Sequence, residues 1–145
     1  MHDTLSSWSM DIRTGRHVVF SLHAHLVFTT KRRGKVLDAD HLARLKMIFE
    51  SVCADFDVEL REFNGERDHV HLLIDYPPKV CLSGLVNSLK GVSSRRLKQE
   101  FPAINAFWSV RKSRGVLWTP SYFAGSVGGA PLSVMKKYIE NQGRG

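Results

Sequence analysis

The 145-residue chain predicts an α+β domain of ferredoxin-like (RRM-like) architecture. That architecture is an antiparallel sheet with two helices on one face, here followed by a tyrosine-bearing C-terminal helix. Two stretches carry apolar residues at helical spacing, and runs with the alternation or β-branched content of strands bracket each of them. Asn64-Gly65, between two of those runs, supplies a hairpin turn. The order is strand, helix, strand, strand, helix, strand, and no repeat, low-complexity tract or second domain interrupts it.

Residues 1–16 show no periodicity and are expected to form a poorly ordered arm, leaving 17–145 as a single domain. HVVFSLHAHLVFTT, residues 17–30, reads as one long strand, ended by Lys31-Arg32-Arg33-Gly34. Asp38 or Asp40 can cap a helix in which Leu42, Leu45, Phe49, Val52 and Phe56 share a face. In DVELREF, Val58 and Leu60 alternate with charged residues as a second strand, and the third covers 69–75. Pro77-Pro78 breaks the pattern. A helix over about 82–99 then turns Leu82, Leu85, Val86, Leu89, Val92 and Leu97 inward. Phe101-Pro102 stops it. Short strands are expected at 116–118 and 122–127, Gly128-Gly129 forms a joint, and Pro131 suits the first turn of a last helix reaching about Gln142.

Apolar content of 43% and charged content of 24% are those of an ordinary globular domain, large enough to bury a core without staples. The net charge of +7 implies an anionic partner. Residues 79–114 hold eight basic side chains against Glu100 alone, whereas 35–78 is acidic. A basic half is the electrostatic footprint of nucleic-acid binding, although a solvated helix face would look the same. Lys31, Arg32, Arg33, Lys90, Arg95, Arg96 and Lys98 are the candidate phosphate contacts. Trp108 or Trp118 could stack on an unpaired base, with core packing the competing duty for Trp118. Cys53 and Cys81 form no CxxC pattern and are expected as buried thiols. With no secretory signal and no apolar stretch long enough to span a bilayer, a cytoplasmic setting is expected. No P-loop motif and no clear carboxylate triad for a two-metal nuclease occurs.

Chemistry concentrates in two short motifs. Alternation in HVHLLI puts Val70, Leu72 and Ile74 on the core face and His69 and His71 together on the other. Two neutral imidazoles suit a borderline divalent metal, yet exposed strands also carry such pairs without function. His23-Ala24-His25 has the same spacing and could face the same side, but nothing resembling a third ligand accompanies it. In the last helix, Tyr138 and Gln142 lie one turn apart, so phenol and amide emerge together. Lys136 and Lys137 beside the tyrosine would favour a phenolate and attract phosphate. A half-buried anchor is the alternative role for such a tyrosine.

HVHLLI, LWTPSYFAGSVG (117–128) and YIENQ (138–142) together resemble the single-strand transposases of IS200-like insertion sequences, which are single-tyrosine HUH endonucleases. The resemblance runs from about Val18 to Gln142, in the family's order and spacing. It implies that His69, His71 and Gln142 bind a divalent cation, magnesium or manganese. Tyr138 would attack single-stranded DNA, forming a 5′-phosphotyrosine and freeing a 3′-hydroxyl. It further implies a bacterial or archaeal, nucleoid-associated homodimer with active sites shared between subunits, acting on subterminal DNA hairpins without a nucleotide cofactor. Two details depart from the family pattern. Lys31-Arg32-Arg33 stands where many relatives have Lys-Tyr-Arg, and Arg67 replaces a frequent proline. Two other readings use the same residues: a metal-dependent nuclease employing water, and a non-catalytic single-strand-binding module.

Overall fold

The computed structural model describes residues 13–14, 19–20, 22–104, 117–126 and 132–142. Strands β1 (Arg13–Thr14) and β2 (Val19–Phe20) form a two-stranded antiparallel ladder of their own. The long first strand expected from 17–30 is therefore divided. Its second part, β3 (His23–Thr29), enters the main sheet, and the Leu22 carbonyl accepts from Tyr76 N where that sheet begins. Strand structure also starts earlier than position 17, at Arg13, while residues 1–12 of the expected arm lie outside the described residues.

A 3-10 turn (Lys31–Arg33) follows β3. Helix α1 (Ala39–Asp55) then starts at Asp38, whose carboxylate accepts from His41 N while its own N–H donates to the His41 ring. A reciprocal cap of this kind satisfies two otherwise orphaned donors and contributes ~1 kcal/mol. Strands β4 (Glu59–Gly65) and β5 (His69–Asp75) form the expected hairpin. A bulge between Leu60 and Glu62 shifts the alternation, so Leu60 and Phe63, three residues apart, both pack on the core. Helix α2 (Leu82–Glu100), strand β6 (Phe123–Ser126) and helix α3 (Leu132–Gln142) complete the described chain.

The main sheet has order β4-β5-β3-β6 with every pair antiparallel, as the ferredoxin-like prediction requires. One face carries Ala24, Leu26 and Phe28 of β3 with Val70, Leu72 and Ile74 of β5. These pack against Leu45, Ile48, Phe49 and Val52 of α1 and Leu85, Val86, Leu89 and Leu97 of α2. Fully burying a side chain of this size contributes ~1.5–3 kcal/mol, so the helices are held by this layer. Trp118 belongs to the same core and donates its indole N–H to Ser93 Oγ at 2.9 Å. Where a strand was expected at 116–118, Trp118 makes a single bridge to Thr30, and Val116 lies outside the described residues. Phe107, Trp108, Gly128, Gly129 and Pro131 lie outside them too.

The expectation of two buried thiols holds for Cys53 alone, because Cys81 is exposed. Cys81 occupies the N-cap position of α2, ahead of the first inward-facing residue. Among the described residues, no helix is long and apolar enough to cross a membrane.

Candidate active site

Register dictates what meets on the face opposite the two helices. His71 lies across from Val27 on one side and Asn64 on the other, His69 across from Thr29, and Leu73 across from His25. Both imidazoles of β5 therefore emerge on the face away from α1 and α2, as alternation predicts. They line a cavity of about 220 Å³ together with Val27, Asn64, Gly65, Glu66, Lys136 and Ile139. The last two residues belong to α3, which lies across this face against β3.

Each imidazole has a defined partner. His69 donates Nδ1–H to Asp68 Oδ1 at 2.9 Å, leaving Nε2 as its lone-pair nitrogen. Asp68 is buried, and its other carboxylate oxygen takes Arg33 Nε at 2.9 Å. Burial pushes the Asp68 carboxyl upward, but the bonds from His69 and Arg33 outweigh it and hold the group below its ordinary value. His71 Nε2 shares a proton with His25 Nδ1 at 2.7 Å, and the two rings stack with centroids 4.9 Å apart. Burial, assisted by the neighbouring His25, lowers the His71 pKa, although Glu62 works the other way. The shift favours the neutral form of His71, the form in which an imidazole binds a metal.

His25 is thus a partner of the site that spacing alone ranked below the HVH pair. Its spacing was present in the sequence, since alternation puts His23 and His25 on one face of their own strand. The deciding register was not.

Tyr138 and Gln142 also emerge together, on a single partner. Ser121 Oγ donates to Gln142 Oε1 at 3.0 Å and, its one proton committed, accepts the Tyr138 hydroxyl at 3.0 Å. Phe123 packs against the phenol ring with centroids 5.9 Å apart. Burial raises the Tyr138 pKa, with Ser121 pulling it down and Thr29 near enough to do the same. Among the described residues, the buried Thr29 hydroxyl meets no partner in good hydrogen-bond geometry. Ser121 was not singled out by spacing, because it lies in a loop with no periodic pattern.

The tyrosine and amide thus face Ser121 and β6, while the histidines lie across β3 on β5, and neither Tyr138 nor Gln142 lines the histidine cavity. Both halves of the constellation share one face of the sheet.

The basic candidates divide by their contacts. Lys90 Nζ donates to the carbonyls of Thr119, Pro120 and Ser121 at 2.6, 3.1 and 3.1 Å, and burial lowers its pKa. That ammonium ties α2 to the loop carrying Ser121. Arg95 and Lys98 line an open groove of about 420 Å³ with Gly91, Ser94 and Gln99. Arg96 lies 3.8 Å from Glu100. Lys31, Arg32 and Arg33 form the turn after β3, with Arg33 committed to Asp68.

A divalent cation can be weighed against this donor set. Among the described residues, no group of three or more His, Cys, Asp or Glu side chains is arranged to hold a metal ion. Two imidazoles beside one cavity, with the His69 Nε2 lone pair unengaged by Asp68, fit such an ion if His71 offers a nitrogen not bonded to His25 and a further oxygen donor joins them. Gln142 Oε1 would have to leave Ser121 to be that donor.

The family model described as "Transposase IS200 like" matches residues 18–142. The chain is 32% identical over 134 residues to the ISDra2 transposase TnpA of Deinococcus radiodurans, covering 92% of each chain. Against the transposase for insertion sequence element IS200 of Salmonella typhimurium, identity is 26% over 132 residues, covering 91% of this chain and 84% of the relative. A crystal structure of a candidate transposase from Deinococcus radiodurans R1 superposes with a TM-score of 0.81 at 34% identity, covering 90% of this chain and 97% of that one. A REP-associated tyrosine transposase bound to a REP hairpin is similar in fold, with a TM-score of 0.54 at 11% identity. That overlap covers 88% of this chain and 68% of the other.

Proposed function

The chain belongs to the IS200-like transposase family, and from that premise we propose that it cuts and rejoins single-stranded DNA beside hairpins at element ends. Tyr138 is the nucleophile. Its oxygen bonds to the phosphorus, the bond from phosphorus to the 3′-oxygen breaks, and the phenol's proton passes, in net, to the released 3′-hydroxyl. The 5′-phosphotyrosine keeps the energy of the broken bond, so a later 3′-hydroxyl can displace the tyrosine without a nucleotide cofactor.

The observation that carries this reading is the sharing of one sheet face by the imidazole pair and by the helix bearing Tyr138 and Gln142. His69, His71 and Gln142 are the residues that would hold magnesium or manganese. A bound cation would supply Lewis-acid polarisation of a phosphate oxygen and orient the scissile bond. The chain's own residues do the rest. Burial favours the neutral form of His71, Asp68 takes the Nδ1–H of a neutral His69 so that Nε2 carries the lone pair, and the groove beside Arg95 and Lys98 offers cations to the DNA backbone.

In this chain the tyrosine helix rests on its own sheet with the phenol bonded to Ser121, so attack requires the phenol to leave that partner. In the homodimer we propose, with sites shared between subunits, that release coincides with the helix changing partners.

Incubation of the protein with manganese or magnesium and a labelled hairpin-bearing single strand, followed by a denaturing gel, tests the reading. A covalent protein–DNA band that vanishes in Tyr138→Phe is expected. Cleavage without an adduct would identify a water-using nuclease. Binding without cleavage, alike in both proteins, would identify a non-catalytic module.

A further inference from the structure

Asp68 is held from several sides before it touches His69. Its side chain is 8% exposed, and Arg33 Nε meets Oδ2 at 2.9 Å. Its backbone carbonyl accepts from Thr30 N at 3.0 Å and takes the longer arm, 3.1 Å, of a forked bond from Thr30 Oγ1, whose shorter arm reaches the Gly34 carbonyl at 2.7 Å. The remaining carboxylate oxygen is thereby aimed at His69 Nδ1.

Delivering Arg33 to that position is costly. Arg32 and Arg33 are consecutive non-glycine residues with φ of 56° and 52°, in the left-handed region that L side chains avoid. Bonds from Arg33 N to Thr30 O, from Gly34 N to Lys31 O and from Thr30 Oγ1 to the Gly34 carbonyl hold the turn closed. Two successive strained residues that end in a buried ion pair mark a place where packing over-determines the backbone.

The geometry points to Asp68, aimed by Arg33, as a positioning residue that sets His69 as an Nε2 donor to a divalent cation. A ring nitrogen donating to a fixed carboxylate settles both tautomer and ring orientation, and it raises the basicity of the opposite nitrogen. Asp68 touches neither DNA nor the reacting phosphate in this scheme and acts through the imidazole. The inference rests on the cation site proposed above. A purely structural ion pair, welding the 31–33 turn to β5, is the competing account. That account predicts lost stability with metal affinity intact in whatever folds.

The test uses the full chain with manganese alone, titrated calorimetrically, in wild type, His69→Ala, Asp68→Asn and Arg33→Gln, with circular dichroism as the check on folding. Asp68→Asn should weaken manganese binding ~10–100-fold. The manganese concentration giving half-maximal DNA adduct should rise in parallel, and excess manganese should restore the adduct. Nitrogen-15 NMR of the metal-free protein should find His69 protonated at Nδ1 in wild type and losing that preference in Asp68→Asn. Manganese affinity within twofold of wild type in a folded Asp68→Asn, or an unchanged tautomer, overturns the inference. If Asp68→Asn does not fold, Arg33→Gln decides: weaker manganese binding supports the aiming role and unchanged binding overturns it. Manganese binding that is equal in wild type and His69→Ala would instead defeat the cation site itself, and the tautomer measurement would still judge Asp68.

Discussion

The Tyr138 hydroxyl donates to Ser121 Oγ at 3.0 Å, and the same serine donates to Gln142, so one side chain holds both motif residues of the last helix. The nucleophile of the proposed reaction is therefore protonated, half-buried and engaged in the resting chain.

Burial disfavours the charged phenolate, so Tyr138 should titrate above the ordinary tyrosine value of 10.0. Ultraviolet difference spectra of wild type against Tyr138→Phe, taken across the alkaline range, should isolate that transition. Ser121→Ala removes a hydroxyl that can turn its proton from Gln142 to the phenolate and so lower this pKa, and should move the transition higher still. A Tyr138 transition at or below the ordinary value would contradict the described environment.

Lys90 is expected to act on stability. Its ammonium is bonded to three backbone carbonyls, and Lys90→Met keeps the apolar stem while leaving those acceptors without it. A loss of ~1.5–3 kcal/mol in urea unfolding is expected, since hydrogen bonds to charged groups lie in that range. A loss smaller than ~0.5 kcal/mol, the usual effect of a surface substitution, would show that the ammonium does not organise the loop.

Arg95 should behave in the opposite way. It lines an open groove, so Arg95→Ala should change stability by less than ~0.5 kcal/mol. Its effect should appear in single-stranded DNA affinity, with the slope of log K against log salt reduced by ~0.7 for one lost phosphate contact. An unchanged slope would remove Arg95 from the DNA interface.

The two thiols should separate by reactivity. Burial pushes Cys53 up to about 12. The bond to Ser83 and the backbone N–H groups of Ser83 and Gly84 lower exposed Cys81 from its ordinary value. Because the thiolate is the nucleophile, iodoacetamide at neutral pH should label Cys81 in the native protein and Cys53 only after unfolding. Mass spectrometry of the peptides reads this directly, and equal labelling of both would contradict the fold around α1.

Local pattern carried much of this protein. Period-two alternation placed His69 and His71 opposite the helices, and one helical turn placed Tyr138 and Gln142 side by side, because both depend on backbone geometry within a few residues. The order of strands and helices followed from the same periodicities, and so did the inward faces of α1 and α2. The divided first strand and the bulge in β4 escaped, since both depend on which strand pairs with which.

The partnerships that prepare the chemistry were decided by packing across the sheet. His25 meets His71 over 46 residues, Arg33 meets Asp68 over 35, and Lys90 reaches the loop of Ser121 over 31. No local period encodes such distances. They depend on strand register, on a strained turn that swings one arginine inward, and on a helix crossing that brings an ammonium against three carbonyls.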